Sequence, residues 1–247
     1  MLEEPVAKTL HDWLETDVAA IRNKPMRWLA EEYFLRDPTR PIYSDPSFFF
    51  PPADGVVLYS KAVRPDESIV EIKGRAYSLR EGLQQPDFDR ECLVVGIFMT
   101  FYDVHVNRMP YAGRLIYREL DPIDTYNHPM IDVEHALLEE VAPYTARAGY
   151  LFTNQRVVNR VFSIDLAQHY YVLQVADYDV DSIMPFRIKQ NQSFAQNQRF
   201  SQIRYGSQVD LIIPLSSRYR FTPLVEAGMH VEAGVDPVVR IKAAADP

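Results

Sequence analysis

Alternating hydrophobic and polar positions dominate this chain after its first 35 residues. Runs at 56–60 (VVLYS), 68–73 (SIVEIK), 91–99 (ECLVVGIFM), 156–164 (RVVNRVFSI) and 169–176 (HYYVLQVA) carry the β-branched and aromatic residues of strands. The stretch Ile203 to Pro214 follows the same rule, with Ile203, Tyr205, Val209, Leu211 and Ile213 sharing one side of an extended segment. That period places the hydroxyl of Ser207 in the middle of an apolar face, directly after Gly206. Such a Gly-Ser pair reads first as a bulge with a small residue packed inside.

The N-terminal part follows a different period. Val6, Leu10, Leu14, Val18 and Ile21 recur near a helical spacing, with Trp13 close to the same stripe and Asp12, Glu15 and Asp17 opposite. Pro25 suits the first turn of a second helix carrying Met26, Leu29, Ala30, Tyr33 and Phe34. Packing of both helices on the body of the domain is the first expectation. Docking on a membrane through Trp13 and Trp28 is the sharper one. The polar region 121–148 holds a further short helix near 132–141. The repeated V-E-A-G at 225–228 and 231–234 predicts a tight hairpin. The expected fold is mainly β, a single sandwich- or barrel-like domain with an N-terminal helical segment and α+β overall. Its parts are a helical lead at 1–36 and a β-rich domain at 37–247.

Composition narrows the function. The 247 residues include 18 prolines and 9 glycines, which suit many short elements joined by turns. A net charge of −8 argues against nucleic acid, and it leaves hydrophobic docking on lipid open. With Cys92 the only cysteine, no internal disulfide can form, and its apolar surroundings make it an inert buried thiol. No metal is assigned, since no histidine or carboxylate falls at a recognised ligand spacing. Asp177, Asp179 and Asp181 resemble a calcium loop only loosely and read as a solvated turn. Three places could carry chemistry: Asp54 on the turn PPADG, the segment FYDVHVNRMPYAG with Asp103, His105 and Asn107 on one face, and Gly206-Ser207.

The ordered series FLRDPTRPIYSDPSFFFPPADG, IKGRAYSL, GIFMTFYDVHVNRMPYAG, TNQR and IRYGSQVDLIIPL, closed by the two V-E-A-G turns, resembles the phosphatidylserine decarboxylase proenzyme family, in its short H-V-N-R branch. The resemblance implies a self-processing, pyruvoyl-dependent carboxy-lyase of phospholipid biosynthesis. It would be made as a zymogen and cut autocatalytically between Gly206 and Ser207. Ser207 would attack the Gly206 carbonyl and end as a pyruvoyl group, the covalent cofactor. That group would convert phosphatidylserine to phosphatidylethanolamine and carbon dioxide. His105 matches the first histidine of the family motif and Asp54 the aspartate of its P-x-D-G motif. An Asp54-His105-Ser207 relay is therefore expected. Arg108 stands where many members carry a second histidine. Arg108, Arg156 and Asn107 are the expected substrate-binding residues.

Two alternatives stay open at this point: decarboxylation of a free amino acid, and an unprocessed, non-catalytic relative that binds rather than reacts. The expected partners are a phospholipid or amino-acid substrate, a membrane met peripherally and a second copy in a homodimer. The expected location is the cytoplasm, at the membrane periphery.

Overall fold

The computed structural model describes residues 7–40, 44–120, 128–139, 147–177, 182–186, 190–204 and 206–244. Val6, Tyr205, Asp179 and Asp181, singled out above, lie outside the described residues, as do parts of the 121–148 region. A nine-stranded antiparallel sheet organises the molecule. Its order is Lys8–Thr9, Met229–Val231, Gly55–Val63, Cys92–Met99, Ser207–Pro214, Gln168–Val175, Arg156–Ser163, Gly113–Leu120 and Gln192–Phe194. The two end strands do not pair with each other, so the mainly β fold is an open sheet with smaller sheets around it and not a closed barrel.

The strands Cys92–Met99 and Ser207–Pro214 sit at the centre, and every residue of both is buried. One core layer takes Val95, Ile97, Met99, Val209, Leu211 and Ile213. The other takes Cys92, Val94, Phe98 and Ile212. A sheet covered on both faces needs apolar side chains on both, which is why Cys92–Met99 reads as a continuous apolar run, while Ser207–Pro214 also buries the polar Gln208 and Asp210. Burial pushes the Cys92 thiol up to about 12, as its inert role requires.

Gly96 serves this central pairing. A Cβ at position 96 would come within 2.3 Å of the Tyr59 ring, so the glycine makes room for that ring against the sheet. The register between Gly55–Val63 and Cys92–Met99 shifts between Val57 and Tyr59, which aims the Tyr59 hydroxyl toward Asp210.

Several sequence expectations are revised. The run 203–214 is not one strand: Arg199–Ile203 belongs to a separate small sheet with Val106–Arg108 and Ile183–Pro185, and the main-sheet strand starts at Ser207. The two V-E-A-G units do not form a hairpin. Gly228 and Gly234 take left-handed φ values of 87° and 77°, and the segment between them is a single strand paired with Lys8–Thr9 and Gly55–Val63. The DVHVNR segment has no polar and apolar sides, because Asp103, Val104, His105, Val106 and Asn107 are all buried. Its regular strand is only Val106–Arg108.

The helical lead is short and irregular, with an α-turn at Leu10–Trp13, a wider π-type turn at Leu14–Val18, and a like pair at Met26–Trp28 and Leu29–Tyr33. Leu10, Trp13 and Val18 pack on Val56 of the sheet, so the lead is part of the body. The helix expected near 132–141 is Ile131–Leu138.

Candidate active site

Gly206 and Ser207 lie where the chain leaves the small sheet and enters the centre of the large one. Ser207 is fully buried and faces Met99 across the ladder, with its Oγ 3.4 Å from the Met99 sulfur. Asn107 approaches the same sulfur through Nδ2 at 3.7 Å. Its Oδ1 accepts from Gln174 Nε2 at 2.5 Å, and Gln174 also donates to Ser201 Oγ at 2.9 Å. A neutral, hydrogen-bonded amide network therefore fixes one side of the Ser207 neighbourhood.

His105 is fully buried with its ring stacked on Phe34 at 3.6 Å. Its Nε2 is 2.9 Å from the carbonyl oxygen of Thr100, the residue after Met99, and its Nδ1 is 3.1 Å from the carbonyl oxygen of Ile203. The imidazole thus bridges the two segments that meet at Gly206-Ser207. Burial pushes its pKa down to about 4, outweighing the two carbonyls and Asp103, so the ring is neutral at pH 7. A neutral ring donates to only one of its two carbonyls.

Asp54 does not orient this imidazole. Its carboxylate is gripped by both terminal nitrogens of Arg40, and Oδ1 also accepts from the Ala233 amide at 2.7 Å. Among the described residues, no contact joins Asp54 to His105. The expected relay is therefore not assembled in the uncut chain, because the motif aspartate is neutralised by an arginine. A different carboxylate–imidazole pair does form: Asp103 Oδ1 lies 2.6 Å from His230 Nε2, and the Trp13 ring stacks on His230 at 4.1 Å. Asp103 Oδ2 accepts from the Thr100 amide and hydroxyl, each at 2.7 Å. Burial opposes the Asp103 charge, but His230 and these hydrogen bonds overcome it and hold the carboxyl below its ordinary value.

On the remaining side two carboxylates face Gly206. A Cβ added there would lie 3.4 Å from Asp177 Oδ2 and 3.6 Å from Glu134 Oε2. The helix Ile131–Leu138 delivers Glu134, and Asp177 Oδ1 accepts from the Met130 amide at the start of that helix at 2.7 Å. Sequence reasoning missed Glu134. It stands among the polar positions of an ordinary helix, and only the docking of that helix reveals that it is buried.

The expected substrate residues divide. Arg156 is 1% exposed and donates to the carbonyls of Leu151, Asn154 and Glu81, so it ties backbone segments together and presents nothing to a ligand. Arg108 lines an open cleft of about 450 Å³ together with Arg40, Arg199 and Asp37. It donates to the Asn197 carbonyl at 3.2 Å and to Asp37 Oδ1 at 3.4 Å.

A phosphatidylserine decarboxylase family model matches residues 32–238, which span every element of this site except the Trp13 stack. The chain belongs to the phosphatidylserine decarboxylase family. A Methanocaldococcus jannaschii protein, named provisionally as an archaetidylserine decarboxylase proenzyme, is 33% identical over 82% of this chain and 85% of its own length. A phosphatidylserine decarboxylase proenzyme of Cupriavidus pinatubonensis is 28% identical over 83% of this chain and 78% of its own. One from Erythrobacter litoralis is 28% identical over 84% and 72%.

Proposed function

We propose that this chain is a self-processing decarboxylase that cuts between Gly206 and Ser207, carries a pyruvoyl group at position 207, and decarboxylates a serine-headgroup phospholipid, phosphatidylserine first. One observation carries the reading: the Gly206-Ser207 bond lies at the break between two sheets, with a buried serine hydroxyl on the strand side. Cutting there would not release the new chain end. Ser207–Pro214 is held on one flank by Cys92–Met99 and on the other by Gln168–Val175. The preceding strand Arg199–Ile203 stays paired with Val106–Arg108 and Ile183–Pro185.

The surroundings fit such a group. On the sheet side they are buried and neutral, built from Met99, Asn107, Gln174 and an uncharged His105, so a keto group at 207 would be shielded from bulk water there. A pyruvoyl group there would supply the electron sink for loss of carbon dioxide from an amine-bearing substrate. His105 would hold or return a proton at the substrate α-carbon on releasing one of its two carbonyls, at Thr100 or Ile203. Arg108 and Arg199 at the open cleft suit the phosphodiester, since a guanidinium offers paired donors to phosphate oxygens.

The lipid would be met at a surface. Among the described residues no helix is long and apolar enough to cross a membrane. Met26 and Leu35, both about half exposed, offer apolar contacts on the lead.

Intact mass of the purified protein tests the reading. The expected result is two chains, 1–206 and 207–247, the second blocked at its N-terminus, with carbon dioxide released from vesicles containing phosphatidylserine and not from free serine. Ser207→Ala should remain one chain and inactive. A wild-type chain that stays at full-length mass would sink the proposal, and turnover of free serine alone would move it to amino-acid decarboxylation.

A further inference from the structure

The groups that could move protons during self-cleavage are constrained by the contacts already described. Asp54 is neutralised by Arg40, and both His105 nitrogens face backbone carbonyls. What faces the scissile glycine is the pair Glu134 and Asp177. Glu134 is 2% exposed, and while Oε1 accepts from the Phe101 amide at 2.9 Å, Oε2 has no hydrogen-bond partner among the described residues and points toward Gly206. A buried carboxyl oxygen left without a partner is costly, and proteins retain such groups where they have work to do.

We propose that Glu134 is the acid and then the base of the Gly206-Ser207 cleavage, with Asp177 as the acceptor of the serine hydroxyl proton. This rests on the self-processing reading above and deepens it. Ser207 Oγ bonds to the Gly206 carbonyl carbon while its proton passes to the Asp177 carboxylate. Glu134 gives its proton to the Ser207 nitrogen as the Gly206 carbon–nitrogen bond breaks, which leaves an ester. As a carboxylate, Glu134 then removes the Ser207 α-proton. Those electrons form the Cα–Cβ double bond, the Cβ–Oγ bond breaks, and Gly206 departs as a carboxylate. Water then converts the amino-alkene at 207 to the keto group and releases ammonia.

Glu134 is suited to begin as a neutral acid. Burial raises its pKa well above the ordinary carboxyl value, and the neighbouring Asp103 and Asp177 push in the same direction, against the Phe101 amide that lowers it.

The test follows cleavage of freshly synthesised full-length chain by mass over time. Glu134→Gln keeps the shape and the acceptor for the Phe101 amide but transfers no proton, so cleavage should slow 100-fold or more, the usual size of a general acid–base contribution. Thermal unfolding of the Gln variant verifies that it is folded. If it is not, the wild-type pH profile decides: the cleavage rate should fall tenfold per unit once pH rises past the Glu134 pKa, with Asp103, Asp177 and Tyr102 the titratable groups facing it. A folded Gln variant cleaved at the wild-type rate, or a wild-type rate independent of pH, overturns the assignment to Glu134. A wild-type chain that never cleaves overturns the self-processing reading instead.

Discussion

Arg40 and Asp54 form a buried ion pair, their side chains 7% and 4% exposed, between the proline-rich entry segment and the turn that opens the strand Gly55–Val63. The Ala233 amide and carbonyl join the same knot, donating to Asp54 and accepting from Arg40. Breaking such a pair from one side leaves an uncompensated charge. Arg40→Met should therefore lose roughly 3–5 kcal/mol, while Arg40→Met with Asp54→Leu should recover most of it. Urea midpoints in the Ser207→Ala chain, which avoids interference from cleavage, measure both; equal losses for the single and double variants would refute the pairing.

Asp210 should give the stability a recognisable pH slope. Burial raises its pKa to about 6, against hydrogen bonds from Gln208 and Tyr59 that lower it. The folded state therefore holds a proton that the unfolded chain releases near pH 4. Stability from this group is full below that value, declines as pH rises to about 6, and is flat above, a change of about 3 kcal/mol. Asp210→Asn retains an oxygen to accept from Tyr59 and Gln208 and should remove that part of the slope, leaving the shares from Glu134 and from Asp236, which burial also raises to about 6. Denaturant titrations at half-unit steps from pH 4 to 7 check this.

Trp13 covers the Asp103–His230 pair from the lead. Trp13→Ala should cost about 3–5 kcal/mol, as for other buried tryptophans. A change in lipid binding with unchanged stability would instead favour a membrane role for this residue. Vesicle sedimentation beside thermal unfolding separates the two.

Arg156→Met should behave as a structural lesion. Three carbonyls lose a charged donor, and a loss on the order of 3 kcal/mol is expected. In material that remains folded, KM for the lipid should be unchanged, because the side chain reaches no open cleft. A raised KM at full stability would return Arg156 to the substrate site.

Much of the chain's organisation was legible in advance. The strands expected at 56–60, 91–99, 156–164 and 169–176 follow from apolar patterning and β-branched content, and the short helix expected near 132–141 forms at Ile131–Leu138. The order of PPADG, DVHVNRMP and YGSQVD was enough to identify the family. Less legible was that the strand ending at Ile203 and the one starting at Ser207 pair with different sheets, since apolar alternation continues from one to the other.

By itself the sequence determined which segments extend, which are buried and where a serine hydroxyl follows a glycine, because burial and backbone preference are written in local side-chain periods. Only the tertiary structure decided which polar groups meet. Arg40 takes Asp54, His230 takes Asp103, Arg156 turns inward, and Glu134 comes to face Gly206. Those pairings join residues far apart in the chain. Each depends on strand order and on how a helix docks, and in a low-dielectric interior the partner a charge finds sets its protonation and its chemistry.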